Sequence, residues 1–362
     1  MIAELTASIG ACTSIFSKYV RRVIAVAASC GPVMLWHKVL MTSKRIFMLG
    51  ATGTIGRATR AALLRHGHEL VCFTRQGAKV QPEDESACQW RFGDVTDTRA
   101  LQGDGFRGEK FDVLLSCMAS RTGSAKDAWA IDYQAHLNAL ECAQSSGVTH
   151  MVLLSAICVQ RPKLAFQHAK LAFEAKLIAS GMDYSIVRPT AFFKSLSGQI
   201  QRVQSGKAFL LFGDGNLTAC KPISDADLAE YLAETVNVPE RRNSILPIGG
   251  PGPAVTPREQ GMLLFSLLQQ EPRFRHVPVA MMDIIIGSLT AVGKVIPAAA
   301  AKAELARIGR YYATESMLLW DPVSGEYTAD ATPSTGRETL AHHYTRILAG
   351  ERAADLGDHA VF

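Results

Sequence analysis

The residues Gly50-Ala51-Thr52-Gly53-Thr54-Ile55-Gly56 have the types and spacing to hold a phosphate. They directly follow an apolar run, Arg45–Leu49, and lead into a helix pattern that starts near Ile55. Each glycine answers a steric demand: a tight turn after the strand, close backbone approach to a pyrophosphate, and close packing of helix on strand. The helix start then turns free N–H groups toward the phosphates. About 20 residues further on, NAD-binding chains place an acid for the ribose hydroxyls. Here the run Glu69–Thr74 ends in Arg75, with no acid. A guanidinium there pairs with a 2′-phosphate and stacks on adenine, so the expected cofactor is NADPH.

The elements that position such a turn are legible. Short apolar runs at Arg45–Leu49, Glu69–Thr74, Cys88–Phe92, Val113–Ser116, Met151–Ala156 and Tyr184–Arg188 predict six strands. Helical patterns at Ile55–His66, Ala125–Ser146 and Lys163–Ser180 separate them. Strands buried on both faces and joined by helices predict an α/β, Rossmann-type, doubly wound parallel sheet. After Pro189 the rhythm changes, with breaks at Gly213–Gly215 and Gly249–Pro253. Thr256-Pro257-Arg258-Glu259 is a capping box with proline at the first helical position, so a helix starts there. We therefore read residues 1–40 as an extension outside the fold and 41–190 as the NADPH-binding domain. Residues 191–362 read as a smaller substrate-binding or lid region, partly interwoven with the first.

The G-x-x-G-x-x-G spacing resembles the extended and atypical short-chain dehydrogenase/reductase superfamily. That resemblance assigns Gly93-Asp94-Val95 to the adenine-contacting turn, the backbone at Met118 and Ala119 to the cofactor wall, and Pro189 and Thr190 to the nicotinamide end. The expected cofactor set is Gly50, Thr52, Gly53, Thr54, Ile55, Gly56, Arg75, Asp94, Val95, Met118, Ala119, Lys170, Pro189 and Thr190. The superfamily carries Y-x-x-x-K after the fifth strand. This chain reads Phe166-Gln167-His168-Ala169-Lys170, which keeps the lysine and replaces the tyrosine. Lys170, the expected catalytic residue, would hold the nicotinamide ribose and supply positive charge. Loss of the phenol removes the general acid of ketone reduction and favours reduction of an activated C=C bond. Tyr184, Tyr311, Tyr312 and His168 are the remaining proton-donor candidates.

Composition excludes several other classes. The chain has 362 residues, 48% hydrophobic and 20% charged, and its net charge of +5 is spread without Lys/Arg runs, which gives no nucleic-acid footprint. None of the eight cysteines forms a C-x-x-C pair, which argues against zinc or an iron–sulfur cluster and for reduced thiols. No metal site is expected. The uncharged stretch Val23–Trp36 is shorter than the about 20 residues of a membrane span, and Met41 opens a natural first strand. Residues 1–40 read as a targeting segment, a weak anchor or an early start.

Longer segments are more specific. Leu154–Leu177, Tyr184–Gln199, Phe212–Ala229, Leu246–Gly252 and Ile308–Pro322 resemble the NADPH-type divinyl chlorophyllide 8-vinyl reductases. The resemblance runs from about Arg45 to the C-terminus. It implies an NADPH-dependent reductase of a magnesium chlorin or related tetrapyrrole, chlorophyllide or protochlorophyllide, late in chlorophyll or bacteriochlorophyll synthesis. A cytoplasmic site follows, peripheral to a photosynthetic membrane, or a plastid in a eukaryote; the short extension favours a photosynthetic bacterium. Phe192, Phe193, Phe209, Phe212, Met281, Met282 and Ile284–Ile286 could line a flat pigment pocket, and Lys194 or Lys221 could meet a propionate. Two alternatives stay open: a reductase of another conjugated substrate, of phenolic type, and a non-catalytic NADPH-binding regulator or assembly factor. Oligomeric state is not legible.

Overall fold

The computed structural model describes residues 42–78, 80 and 87–351. The extension 1–40 lies outside these residues. In chain order the first elements are β1 (Arg45–Leu49), α1 (Thr54–Arg65), β2 (Glu69–Thr74), β3 (Gln89–Phe92) and β4 (Val113–Ser116). Then come α2 (Ala125–Ala128, Trp129–Ala135 and His136–Ser145, one continuous helix), β5 (His150–Leu154), α3 (Ala165–Ile178) and β6 (Asp183–Pro189). The six expected strands are present, with ends shifted by up to two residues. The third helix starts at Ala165 because the Gln167 carboxamide accepts the backbone N–H groups of Lys163 and Leu164, which caps the helix at Leu164.

The strands make a seven-stranded sheet of order β3-β2-β1-β4-β5-β6-β8. All pairings in it are parallel, for example Leu49 beside Phe73 and beside Ser116. Period-2 alternation divides the strand residues between two cores. Ile46, Met48, Val113 and Leu115 pack with Leu63 of α1 and, beyond β6, with Leu228 and Leu232. Phe47, Leu49, Leu114 and Met151 pack on the other face with Ala139 and Leu140 of α2 and Phe173 and Leu177 of α3. Both faces are thus covered, and the strand order reverses between β1 and β4, where ligands of such sheets bind.

After β6 come α4 (Phe193–Leu196), α5 (Ile200–Gln204), β7 (Phe209–Phe212), α6 (Asp225–Thr235) and β8 (Ser244–Ile248). They are followed by α7 (Pro257–Leu267), β9 (Phe274–Val277), α8 (Val279–Gly293), α9 (Pro297–Thr314), β10 (Leu319–Asp321), β11 (Glu326–Thr328) and α10 (Leu340–Leu348). The expected capping box is formed: Thr256 accepts from the Glu259 N–H while the Glu259 carboxylate accepts from the Thr256 N–H. This half returns to the sheet through β8, and α6 packs on the α1 face. A third core gathers Phe193, Phe209, Leu211, Leu264, Phe265 and Tyr344.

Candidate active site

The carboxyl ends of β1, β2, β3, β4 and β6 share one edge, because the strands are parallel. The turn after β1 leaves no room for side chains where the sequence demanded none. Gly50 has φ +74°, and a Cβ on it would lie 2.5 Å from the Cys117 carbonyl carbon and the Met118 nitrogen. A Cβ on Gly56 would lie 1.9 Å from the Gly50 oxygen, so α1 could not dock. Gly53 differs: a Cβ there would meet protein at an ordinary 3.5 Å. Its bareness serves whatever approaches from outside. No side chain caps α1 at Gly53, and no acid lies in its first turn, which leaves the positive end of the helix to an anion. Arg57 Nη1 donates to the Thr52 carbonyl at 2.8 Å and pins the turn. These features fit a dinucleotide pyrophosphate.

The other expected cofactor residues line the same edge. Arg75 is exposed directly after β2 and makes no ion pair among the described residues. Asp94 follows β3 and accepts the Thr96 N–H at 2.8 Å, which folds the turn back on itself; Val95 packs beside the Phe47 core. Met118 and Ala119 follow β4, and the Met118 N–H donates to Ser116 Oγ at 3.3 Å. Pro189 ends β6 beside Ile248. The Thr190 hydroxyl donates to the Lys221 carbonyl, so its side chain holds the loop.

Lys170 meets a partner that no local pattern announced. Its Nζ lies 2.9 Å from Asp132 Oδ1 in a nearly buried ion pair. The Ser120 hydroxyl and N–H both donate to the same carboxylate. Asp132 sits in the Trp129–Ala135 stretch of α2, which is π-helical. One turn on, His136 is buried with Nδ1 2.9 Å from the Ile131 carbonyl and Nε2 2.8 Å from Ser116 Oγ. The carbonyl can only accept, so Nδ1 carries the proton and Nε2 accepts from the serine. Burial first, then the Lys170 charge, lowers the His136 pKa to about 4, so the ring is neutral near pH 7. The lysine therefore enters the site with its counter-charge in place. One turn beyond Lys170, Glu174 is buried, pairs with Arg188 and accepts from Ser155 Oγ, which fixes α3 to β5 and β6.

Phe166 packs against Ile157, Cys158, Leu164, Tyr311 and Met317. An apolar ring thus occupies the place of the superfamily's phenol. The candidate donors separate clearly. Tyr184 lies at the amino end of β6, away from the site edge. Tyr311 is spent, with its hydroxyl 3.0 Å from the Cys158 carbonyl and 3.2 Å from that of Arg161. His168 is exposed, two residues from both Phe166 and Lys170 and so on a different helix face. Tyr312, next to Tyr311 on α9, exposes part of its ring, but its hydroxyl meets the buried Cys158 thiol, and burial pushes its pKa well up.

The expected pigment contacts also divide. Phe193 and Phe209 are fully buried core, and Met282 is buried. Lys221 Nζ is committed to the Thr332 carbonyl at 3.0 Å. Lys194 Nζ instead reaches the cofactor turn, 2.8 Å from Thr54 Oγ1. Met281, Ile284 and Ile285 of α8 are exposed. The hairpin α8–α9 stands at the site edge: a Cβ on Gly123, in the β4–α2 loop, would lie 2.6 Å from Ile308 Cδ1 of α9. No cluster of metal-binding side chains occurs among the described residues.

Comparison with known proteins gives the same direction. A family model described as NAD(P)H-binding matches residues 50–239. The chain is 45% identical to the protein named divinyl chlorophyllide a 8-vinyl-reductase, chloroplastic, of Cucumis sativus, over 96% of this chain and 87% of that one. It is 46% identical to the protein of the same name from Oryza sativa subsp. indica, over 88% of this chain and 82% of that one. In fold it resembles an NADPH-dependent quinone oxidoreductase of Escherichia coli solved with NADPH, with TM-score 0.62 at 18% identity over 84% of this chain and 99% of that one.

Proposed function

This chain belongs to the divinyl chlorophyllide a 8-vinyl-reductase family, and we propose that it reduces the 8-vinyl group of a divinyl chlorophyllide to ethyl at the edge built by β1, β4 and α3. NADPH, when bound, supplies a hydride. The observation that carries the mechanism is the Lys170–Asp132 pair with Phe166 one turn away. Lys170, fixed by Asp132, would hold the nicotinamide ribose, and Ser120 holds Asp132 in turn. Phe166 keeps the place of a carbonyl acid apolar. Addition at the terminal vinyl carbon leaves negative charge that spreads into the macrocycle, and the proton goes to carbon, so no alkoxide needs a phenol. Positioning supplies most of the rate. Gly50, Thr52, Gly53, Thr54, Ile55 and Gly56 hold the pyrophosphate, Arg75 the 2′-phosphate, Asp94 and Val95 the adenine, and Met118, Ala119, Pro189 and Thr190 the nicotinamide half. Residues 191–362 supply the pigment side. Purified full chain with NADPH and divinyl chlorophyllide, without ferredoxin or flavin, is expected to blue-shift the pigment's Soret band. A folded, NADPH-binding preparation that leaves the spectrum unchanged would reject this reading.

The substrate class favours a peripheral membrane contact, and α8 supports one. Met281, Ile285 and Val292 are exposed on one side of this helix, at spacings of four and seven, with Ile284 beside them and Val295 in the turn after its end; Ile284 and Val295 are 69% and 84% exposed. The acid on α8, Asp283, is paired with Arg310 of α9. Exposed Arg275 precedes the helix and exposed Lys294 and Lys302 follow it, a pattern suited to anionic lipid. No described helix is long and apolar enough to cross a membrane. Co-sedimentation with anionic vesicles, lost in an Ile284→Glu/Ile285→Glu variant, supports the contact; equal recovery of both proteins in the supernatant contradicts it.

A further inference from the structure

We infer that His136 is a positioning residue for the cofactor: through the Ser116 hydroxyl it fixes the peptide bond between Cys117 and Met118, against which the turn after β1 closes. The inference rests on the dinucleotide reading of that turn. Ser116 is the last residue of β4, beside Leu49 of β1 and Leu153 of β5. The peptide that follows it touches the turn: a Cβ on Gly50 would lie 2.5 Å from both the Cys117 carbonyl carbon and the Met118 nitrogen. A shift of that peptide therefore moves the floor of the phosphate turn. On one side it is held by the sheet, since the Cys117 N–H donates to the Leu49 carbonyl at 3.0 Å. The Met118 N–H donates instead to Ser116 Oγ at 3.3 Å, so the other side depends on a hydroxyl that can rotate.

His136 removes that freedom. Its Nδ1–H is taken by the Ile131 carbonyl at 2.9 Å, which leaves Nε2 as an acceptor 2.8 Å from Ser116 Oγ. The serine proton then points at the ring and leaves the oxygen lone pairs for the Met118 N–H. The donors run in one direction, from Met118 through Ser116 and His136 to Ile131, and each bond strengthens the next. Ser116 and His136 are 0% and 1% exposed, so solvent does not compete for these bonds. The His136 and Phe173 ring centroids are 4.9 Å apart, and this packing against α3 sets the plane of the imidazole. Ile131 belongs to the π-helical stretch that carries Asp132. One segment thus places the counter-charge of Lys170 and, through the imidazole, the wall of the cofactor turn.

The test sets the affinity of the full chain for NADPH against its affinity for 2′-AMP, which carries the adenine, the ribose and the 2′-phosphate and stops short of the pyrophosphate. Calorimetry gives the first directly and the second by competition with NADPH. Ser116→Ala and His136→Leu break the chain of bonds at different links. Each is expected to weaken NADPH by about tenfold and to leave 2′-AMP within about twofold of the wild type. His136→Gln keeps a carbonyl oxygen to accept the serine proton, and it should hold NADPH to within about threefold of the wild type. A merely structural role would lower the melting temperature, or weaken both ligands together, without changing the ratio of the two affinities. That ratio belongs to the folded molecules, so it stays readable in a variant that melts early. Ser116→Ala, the loss of a single oxygen, carries the test if His136→Leu does not fold. An unchanged ratio in Ser116→Ala overturns the inference. So does a glutamine variant as weak as the leucine variant, which would assign His136 to packing against Phe173. A wild-type chain that binds NADPH no more tightly than 2′-AMP would instead reject the pyrophosphate reading of the turn.

Discussion

Lys170 brings its charge to a carboxylate that is already in position. Read from spacing alone, the lysine supplies positive charge beside the ribose; in the fold, Asp132 offsets that charge and fixes its direction. Removing either partner leaves the other buried and uncompensated. Asp132→Asn and Lys170→Met are each expected to lower kcat by about tenfold or more, and the double variant by little more than either, as for groups that act as a unit. Steady-state kinetics of the three variants decide this; fully additive losses would mean the two residues act separately. Phe166→Tyr should change kcat little, because the proton goes to carbon, and a large gain would point to a carbonyl substrate. Arg75→Ala should raise the KM for NADPH far more than that for NADH. Equal effects on both would remove Arg75 from the 2′-phosphate site. The steric demands at Gly50 and Gly56 were legible because each arises within a few residues of the strand end. Asp132 was not, since its role depends on a helix 38 positions away in a register that only the fold sets.

At the scale of elements, α2 shows where pattern reading stops. Residues Ala125–Ser146 read as one regular helix, and one helix is present, but its Trp129–Ala135 stretch is π-helical. Its residues are ordinary helix formers, so nothing local announces the wider turn. The π-helical stretch holds Asp132 against Lys170, and His136 in the next turn reaches Ser116. The strands were legible because their apolar runs are buried on both faces. A pH signature follows from two of the helix and strand histidines. Burial lowers His136 to about 4, and burial with the Arg242 guanidinium lowers His150 to about 4. A folded-state pKa below the unfolded value of about 6.5 means the unfolded chain binds more protons in between, so stability is full above about 6.5 and falls as pH drops toward 4. His150 Nε2 lies 2.9 Å from Ser185 Oγ at the amino end of the sheet, away from the site. Melting temperature should therefore fall across that window, and His150→Gln should flatten the slope without altering turnover at pH 7. A melting temperature constant from pH 6.5 to 4 would contradict the buried neutral state of both rings.

At the scale of the molecule, one parallel sheet gathers every proposed cofactor residue on a single edge, and the chain then returns through β8 to complete it. The sheet and its order of elements could be read from the sequence. The division of aromatic residues could not: Phe193 and Phe209 serve the third core, while the apolar face left in water belongs to α8. Composition is the same for both, and only long-range packing tells them apart. In the proposed function the whole arrangement holds a hydride donor against a conjugated C=C bond, with the apolar Phe166 ring where a carbonyl reductase would carry its acid. Its most direct test is the fate of the transferred atom. Purified full chain turning over divinyl chlorophyllide with NADPH deuterated at the transferring position of the nicotinamide should place deuterium in the methyl of the new ethyl group. Unlabelled product, or turnover that still requires ferredoxin, would contradict direct hydride transfer.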